Sequence, residues 1–267
     1  MNSLEKKYLR LKKLLTKLGS AVIAFSGGLD SGLLTKVAFD CLGKNIIAVT
    51  AFSPTYPSSE LKFAKKIAKE IGARHIVIHT QEFKDRNFLN NTKHRCYWCK
   101  RELFSRLKEI SRKFRIKYIL DGTNYDDRKD VRPGLAANKE FSVISPLYKC
   151  RFTKQDVKKL TAFLAPSLCN KPSGTCLSSR IPFGEKITQK RLKKIEAAER
   201  ILKNFLGENI LLRARDHNDI LRIEVENKGW TRLKKSDINK LIIRLKKCGY
   251  KYITLDLEGY VPAGLRA

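Results

Sequence analysis

Apolar positions change their spacing several times along this chain, and the changes mark its elements. Between residues 2 and 18, Leu4, Leu11, Leu14, Leu15 and Leu18 recur at helical intervals among lysines and arginines. That spacing predicts an amphipathic helix. Residues 20–26 read SAVIAFS and run into Gly27 and Gly28. A short apolar run bounded by glycines predicts a buried parallel strand. Helical spacing resumes over 30–43, with Asp30 and Ser31 at the start and Gly43 at the stop.

The alternation continues. Strands are predicted over 45–53, 74–80 and 117–124, helices over 58–72 and 99–114, and 142–147 is a candidate short strand. This β-α-β-α order predicts an α/β fold, a parallel sheet with helices on both faces. Ligands of such sheets sit beyond the carboxyl ends of the strands. The loops 26–31, 52–57, 121–133 and 145–148 are therefore expected to share one site. After about residue 183 the pattern changes. A long helix over 188–207, a hairpin over 209–226 turning at 217–219, a helix over 234–249 and a strand over 250–257 predict a small α+β unit. The boundary falls near 180–185, giving domains 1–182 and 183–267.

Charge adds to this picture. The chain of 267 residues carries 56 Lys and Arg against 26 Asp and Glu, a formal net charge of +30. Such a balance favours phosphates, nucleotides and nucleic acid; it also follows from lysine-rich solvated helix faces. No window approaches the ~18 apolar residues of a membrane span. Residues 1–20 are basic and amphipathic, unlike a secretory leader, so a cytoplasmic protein is expected. Seven cysteines in a chain of this length point to metal binding or sulfur chemistry rather than to a disulfide scaffold.

The first strand–helix junction reads SGGLDS at 26–31. Gly27 and Gly28 let backbone N–H groups approach phosphate oxygens, and the following helix start adds its unpaired donors. Ser26 and Ser31 supply hydroxyls. Asp30 repels phosphate and is therefore a candidate for holding Mg²⁺. The junction is neither a Walker loop nor a G-x-G-x-x-G turn. It resembles the loop of the pyrophosphatase-loop (PP-loop) ATPases, which cleave ATP between the α and β phosphates and adenylate a substrate.

Four further segments narrow the resemblance: RCYWCKRELF at 95–104, DGTNYDDRKDVRPG at 121–134, KPSGTCLSSRIPFGEKIT at 171–188 and RARDHNDILRIEV at 213–225. With SPL at 145–147 and YITLDLEGY near the end, they resemble the LarE family over nearly the whole chain. That resemblance implies an enzyme that uses ATP and Mg²⁺ to adenylate a carboxylate of a pyridinium biscarboxylic acid mononucleotide and exchange its oxygen for sulfur. The product leads to a nickel-pincer nucleotide cofactor. It also implies a homo-oligomer, a hexamer in known members.

Residue chemistry fits that expectation. The activated carboxylate needs a thiolate or sulfide as nucleophile. Cys176, among hydroxyl donors and close to Arg180 in GTCLSSR, is the candidate. In the family the matching cysteine either gives up its own sulfur and becomes dehydroalanine, or joins two others in holding a four-iron four-sulfur cluster with one open iron. Cys96 and Cys99 stand in C-x-x-C spacing, so Cys96, Cys99 and Cys176 favour the cluster type, with sulfide or another sulfur donor as co-reactant. A Cys₄ zinc site with Cys169 is the rival. Cys41, Cys150 and Cys248 are expected to be structural. Arg213 and Arg215, two apart on one strand face, are candidates for the substrate phosphate together with Ser179 and Arg180. Glu199 and Glu224 are candidates for orienting those arginines or a metal. Asp121, Asn124 and Asp126 lie on a loop at a strand end and are candidates for nucleotide or Mg²⁺ contact. Tyr97 and Trp98 are candidates for stacking on a flat ring. The competing readings are a tRNA thiolase with the same ATP loop, an ammonia-using ligase like NAD synthetase, and a non-catalytic nucleotide- or RNA-binding protein.

Overall fold

The apolar run after the first helix becomes the inner strand of a parallel sheet. The computed structural model describes residues 3–129, 133–170, 174, 176–231 and 235–261. In chain order the first half holds α1 (Ser3–Leu18), β1 (Ala21–Ala24), α2 (Leu29–Leu42), β2 (Ile46–Phe52), α3 (Ser58–Ile71), β3 (Arg74–His79), α4 (Arg86–Leu89), α5 (Arg95–Lys113) and β4 (Ile119–Leu120). It continues with α6 (Gly134–Glu140), α7 (Pro146–Lys149) and α8 (Lys154–Leu164). The second half holds α9 (Gln189–Leu206), β5 (Leu212–His217), β6 (Ile220–Val225), α10 (Asn227–Trp230), α11 (Lys235–Lys247) and β7 (Tyr252–Leu255).

Two compact units result. One comprises residues 1–53, 58–88 and 93–174; the other comprises 54–57, 89–92 and 175–267. The sequence pattern drew its boundary at 182/183.

The first unit is the α/β fold that the alternation predicts. Its sheet has the order β3-β2-β1-β4, and every pairing is parallel. Burial on both faces explains why β1 and the start of β2 are continuously apolar rather than alternating. One core gathers Leu11 and Leu15 of α1, Leu33, Leu34 and Val37 of α2, Ile67 of α3 and Val157 and Leu160 of α8. The opposite core sets Val22, Ile47 and Val49 against Phe104 and Leu107 of α5 and Ala137 of α6.

Three local outcomes differ from the pattern. Helix α5 starts at Arg95 rather than at 99; in its first turn Cys96, Tyr97 and Trp98 are consecutive and so lack the helical spacing that marks the remainder. The candidate strand over 142–147 is one bridge, Ile144 beside Leu120. It is cut short by Ser142 at φ 55° and by Pro146 opening α7. Helix α8 was not read from the apolar pattern. It begins with a full capping box, in which the Thr153 hydroxyl accepts from the Asp156 N–H and the Asp156 carboxylate accepts from the Thr153 N–H.

The second unit is a small α+β fold. The predicted hairpin forms: β5 and β6 pair antiparallel and turn at Asn218, whose φ is 61°. β7 adds parallel to β6. Leu192, Ile195, Ala198 and Leu202 of α9 are buried, as are Leu212 and Ala214 of β5. The segments 54–57 and 89–92 join this unit through their backbones: Leu177 N–H donates to Thr55 O and Ile187 N–H to Leu89 O. Among the described residues no helix is long and apolar enough to cross a membrane.

Candidate functional site

Strand β1 ends at Ala24, and the chain turns immediately through Ser26–Gly28 into α2. Gly27 makes the turn with φ 72°. A Cβ at Gly27 would lie 2.9 Å from the backbone and side chain of Ala64, so both its conformation and its space demand glycine. The two serine hydroxyls meet at 3.0 Å, and the Ser31 hydroxyl lies 3.2 Å from Ser26 N–H and 3.3 Å from Gly28 O. The loop is thus held by its own side chains, while the first N–H groups of α2 lack intrahelical partners.

That loop lines a pocket of about 260 Å³ together with Ala24, Asp30, Lys100, Leu103, Phe104, Asp121, Gly122, Thr123 and Asp127. The pocket lies at the carboxyl ends of β1 and β4, where the fold class predicts the ligand. Of the nucleotide candidates, Ser26, Gly28, Asp30, Ser31 and Asp121 line it directly.

Asn124 acts through Asp30. It is fully buried; its amide donates to Asp30 Oδ1 at 2.9 Å, and its carbonyl accepts from the Asp126 and Asp127 N–H groups. Asp126 turns to the Lys154 N–H at 2.8 Å, at the start of α8, and its neighbour Asp127 lines the pocket instead. Burial pushes the Asp30 carboxyl above its ordinary range; the Asn124 amide pulls it back and the Asp127 charge raises it again. Asp30 and Asp127, two of the three carboxylates that line the pocket, form a donor set suited to a hard divalent cation, and Asp30 is disfavoured as a bare anion.

Asp121 has the opposite electrostatics. Burial opposes its charge, but Lys100 and three donors overcome that and hold its carboxyl below the ordinary range. The donors are the Ser145 hydroxyl at 2.5 Å, the Thr123 hydroxyl at 2.6 Å and the Asn138 amide at 2.8 Å. Lys100 Nζ stands 3.5 Å from Asp121 and 3.1 Å from the Asn138 carbonyl. It therefore presents a fixed cation to the pocket. Lys100 and Asp127 were not singled out from the sequence. Lys100 is one basic residue among many on α5, and choosing Asp127 over Asp126 requires the three-dimensional turn.

Gly122 connects the two loops. A Cβ there would come within 2.8 Å of the Ser31 backbone N. Gly122→Ala is expected to push the 121–124 loop off the start of α2 and raise the KM for ATP about tenfold or more, a shift of roughly 1.4 kcal/mol. Steady-state kinetics against ATP, with unfolding monitored in parallel, checks this.

The cysteines are distributed between the units. No disulfide links any of the seven. Cys96 and Cys99 occupy the first turn of α5 at i, i+3 and so share a face; Cys96 is exposed and Cys99 half-buried. On the same turn Tyr97 packs edge-on against Trp98 with centroids 4.9 Å apart, and the Tyr97 hydroxyl donates to Glu140. In the second unit Cys176 is exposed, as is Cys169 in the first. Among the described residues no group of three or more His, Cys, Asp or Glu side chains is gathered as a metal site needs.

The second unit assembles the arginines on acidic and carbonyl partners. Arg180 grips Glu199 with Nε at 2.7 Å and a second nitrogen at 3.2 Å, and donates to the Cys176 carbonyl at 3.1 Å and the Ser179 hydroxyl at 2.9 Å. It thereby fixes the backbone that carries Cys176. Arg215 makes the matching fork with Glu224 at 2.9 and 3.0 Å and donates to Ser179 O at 2.6 Å. Arg213 is 2% exposed. It donates to Val261 O and the Tyr260 hydroxyl and stacks on the Tyr260 ring, while its Nε has no hydrogen-bond partner among the described residues. Glu199 and Glu224 therefore orient arginines, one of the two roles their positions suggest. Arg213 and Arg215 do lie on one strand face, opposite Glu224 and Arg222 respectively in the register.

Comparison with known proteins agrees with this geometry. The asparagine synthase family model matches residues 14–112, the span that contains the loop and the inner strands. The chain is 38% identical over 258 residues to an uncharacterised protein of Synechocystis sp., covering 96% of each chain. An uncharacterised protein of Methanocaldococcus jannaschii is 31% identical over 258 residues, covering 96% of this chain and 97% of that one. The pyridinium-3,5-bisthiocarboxylic acid mononucleotide synthase of Lactiplantibacillus plantarum is 34% identical over 263 residues, covering 97% of this chain and 94% of that protein. With that identity along nearly its whole length, and a PP-loop built as described, the chain belongs to the LarE family and is an ATP-dependent enzyme.

Proposed function

We propose that this enzyme adenylates a carboxylate of pyridinium-3,5-biscarboxylic acid mononucleotide and replaces a carboxylate oxygen with sulfur. The observation that carries the reading is the joint presence of a serine- and glycine-built phosphate pocket with three carboxylates, Asp30, Asp121 and Asp127, and an exposed Cys176 on an arginine-anchored turn. In the first step a substrate carboxylate oxygen attacks the α-phosphorus of ATP and pyrophosphate leaves. In the second, sulfide attacks the acyl carbon and AMP leaves with its oxygen; where the Cys176 thiolate attacks instead, the thioester formed then loses its Cβ–Sγ bond by β-elimination, which leaves the thiocarboxylate on the substrate and dehydroalanine on the chain. The loop N–H groups, the serine hydroxyls and the Lys100 ammonium draw the phosphates into place. Asp30 and Asp127 would hold Mg²⁺, which when bound supplies charge neutralisation at the phosphates. Ser179, Arg180, Arg213 and Arg215 of the second unit would receive the substrate phosphate.

Cys96, Cys99 and Cys176 are the ligands this reading assigns to a four-iron four-sulfur cluster, which when bound supplies an exchangeable sulfur. The pair on α5 suits two ligand positions, with both thiols on one helical face. Iron, acid-labile sulfide and zinc measured on protein purified without oxygen, and again after reconstitution, test this. About four irons and four sulfides per chain are expected, falling away in Cys96→Ser, Cys99→Ser or Cys176→Ser. Absence of iron under both conditions would sink the cluster assignment. Cys176 would then be a single-use sulfur donor if zinc is absent too, or a member of a Cys₄ site with Cys169 if zinc is present.

A further inference from the structure

The helical turn that carries Cys96 and Cys99 runs directly into Lys100, which lines the nucleotide pocket. Helix α6 holds this turn at its start, middle and end. At its start, Gly134 is buried against the turn. A Cβ there would meet Lys100 Cδ at 2.9 Å and the Cys96 carbonyl at 3.5 Å. In its middle, the Asn138 carbonyl accepts from Lys100 Nζ at 3.1 Å. At its end, Glu140 accepts from the Tyr97 hydroxyl at 2.8 Å and stands 3.5 Å from Arg101 Nε.

Asn138, 7% exposed, sits between two opposite charges. Its amide donates to Asp121 Oδ2 at 2.8 Å and to Ser145 Oγ at 3.4 Å, while its carbonyl faces the Lys100 ammonium. Reversed, the amide would face the ammonium and the carbonyl the carboxylate, so the flanking charges fix its orientation. With Asn138 in place, Lys100 Nζ stays 3.5 Å from Asp121 Oδ2. A closed ammonium–carboxylate bond is shorter, about 2.7–2.9 Å. An ammonium has three donors. Asp121 and Asn138 take two and leave the third for a phosphate oxygen in the pocket. A phosphate on that donor engages the helix turn rather than a loose side chain, because Gly134 confines the lysine stem and Asn138 its head.

We propose that occupancy of the nucleotide pocket and the order of the Cys96–Cys99 turn are coupled through Lys100, with Asn138 as the positioning residue. Nucleotide binding orders the turn, and by linkage whatever orders the turn tightens the nucleotide. The pocket must be the ATP site for this to hold; what Cys96 and Cys99 ligate need not be specified.

Hydrogen–deuterium exchange over residues 94–104 tests the coupling. It is read with and without Mg²⁺ and an ATP analogue that carries a methylene between the α and β phosphates, and calorimetry on the same samples gives the affinity. In the wild type the analogue is expected to slow exchange in this segment by about fivefold to a hundredfold, the usual range of coupling between two sites. Asn138→Ala lets Lys100 close onto Asp121. It should weaken the analogue roughly tenfold to a hundredfold, as for one hydrogen bond to a charged group, and abolish the protection even at saturation. Lys100→Met should do the same. Adding Asn138→Ala to Lys100→Met should then cost no further affinity, whereas a merely structural asparagine would add its own loss. Gly134→Ala displaces the lysine stem and leaves the donors to Asp121 in place, so it gives the same loss by a second route should Asn138→Ala fold poorly. Undiminished protection in Lys100→Met at saturation overturns the proposal. So does an analogue that binds the wild type without slowing exchange, a result that leaves the pocket as the ATP site. No binding of the analogue at all would remove that reading of the pocket, and the coupling with it.

Discussion

Asp30→Asn is expected to cut ATP-dependent adenylation by roughly 10²–10³-fold, the range for removing one preorganised electrostatic group, and to raise the thermal midpoint of the ligand-free protein. Both results have the same cause. Burial and the Asp127 charge hold the Asp30 carboxyl above its ordinary pKa, with the Asn124 amide opposing them. The folded state therefore binds a proton more tightly than the unfolded state does. Stability from this group is fully present below the unfolded pKa and is lost as pH rises through the folded one. At neutral pH the ionised aspartate is a liability that Mg²⁺·ATP would relieve. Asparagine is nearly isosteric and still accepts the Asn124 hydrogen bond, but carries no charge to repel. Thermal unfolding at pH 7.5 and at pH 5, with and without Mg²⁺·ATP, measures this. The midpoint difference between variant and wild type should shrink at the lower pH and reverse when Mg²⁺·ATP is added. A variant that unfolds earlier than wild type without ligand would show that Asp30 is a structural anchor rather than a poised cation ligand.

Asp121 carries the opposite sign. Its depressed carboxyl contributes stability that is present above the unfolded pKa and lost as pH falls. Two aspartates lining the same pocket are thus set apart by their surroundings. Burial with little compensation fits one for a cation. Lys100, Ser145, Thr123 and Asn138 make the other a permanent anion that positions Lys100.

That difference shows what a single sequence can disclose. The Ser26–Ser31 loop was legible because its chemistry is local: two glycines between an apolar run and a helix, with hydroxyls at both ends. The parallel sheet was legible because burial on both faces removes the polar alternation from β1 and β2. The contact between Asn124 and Asp30 crosses 94 residues, and no spacing encodes it. Lys100 was hidden among other lysines and arginines on α5, and its distinction comes from Asp121 and Asn138 on other segments. The second unit repeats the lesson. Strand alternation puts Arg213 and Arg215 on one face, but only the fold shows Glu224, Ser179 O and Val261 O consuming most of their donors. Helix α8 is a different case. The Thr153–Asp156 capping box was present in the sequence and would have marked its start.

Cys176→Ser is expected to separate the two half-reactions. The substitution leaves the nucleotide pocket of the first unit untouched, so pyrophosphate and the acyl-adenylate should still form when the pyridinium biscarboxylic acid mononucleotide is supplied, while AMP release falls with the sulfur step. The sulfur-containing product should fall by about a thousandfold or more, because a serine hydroxyl has no sulfur to give and is a poor nucleophile at neutral pH. The turn itself should persist: Arg180 holds it through the Cys176 carbonyl, which the substitution keeps, and Ser179 donates to that same carbonyl. Intact-protein mass after turnover of the wild type adds the decisive detail. Loss of the elements of hydrogen sulfide from Cys176 means that the residue supplied the sulfur and the enzyme acts once. An unchanged mass over several turnovers means that the sulfur came from elsewhere and that Cys176 serves as a ligand. A serine variant that makes the thiocarboxylate at the wild-type rate would remove Cys176 from the chemistry altogether, and with it the reason for linking an exposed thiol in the second unit to an ATP pocket in the first.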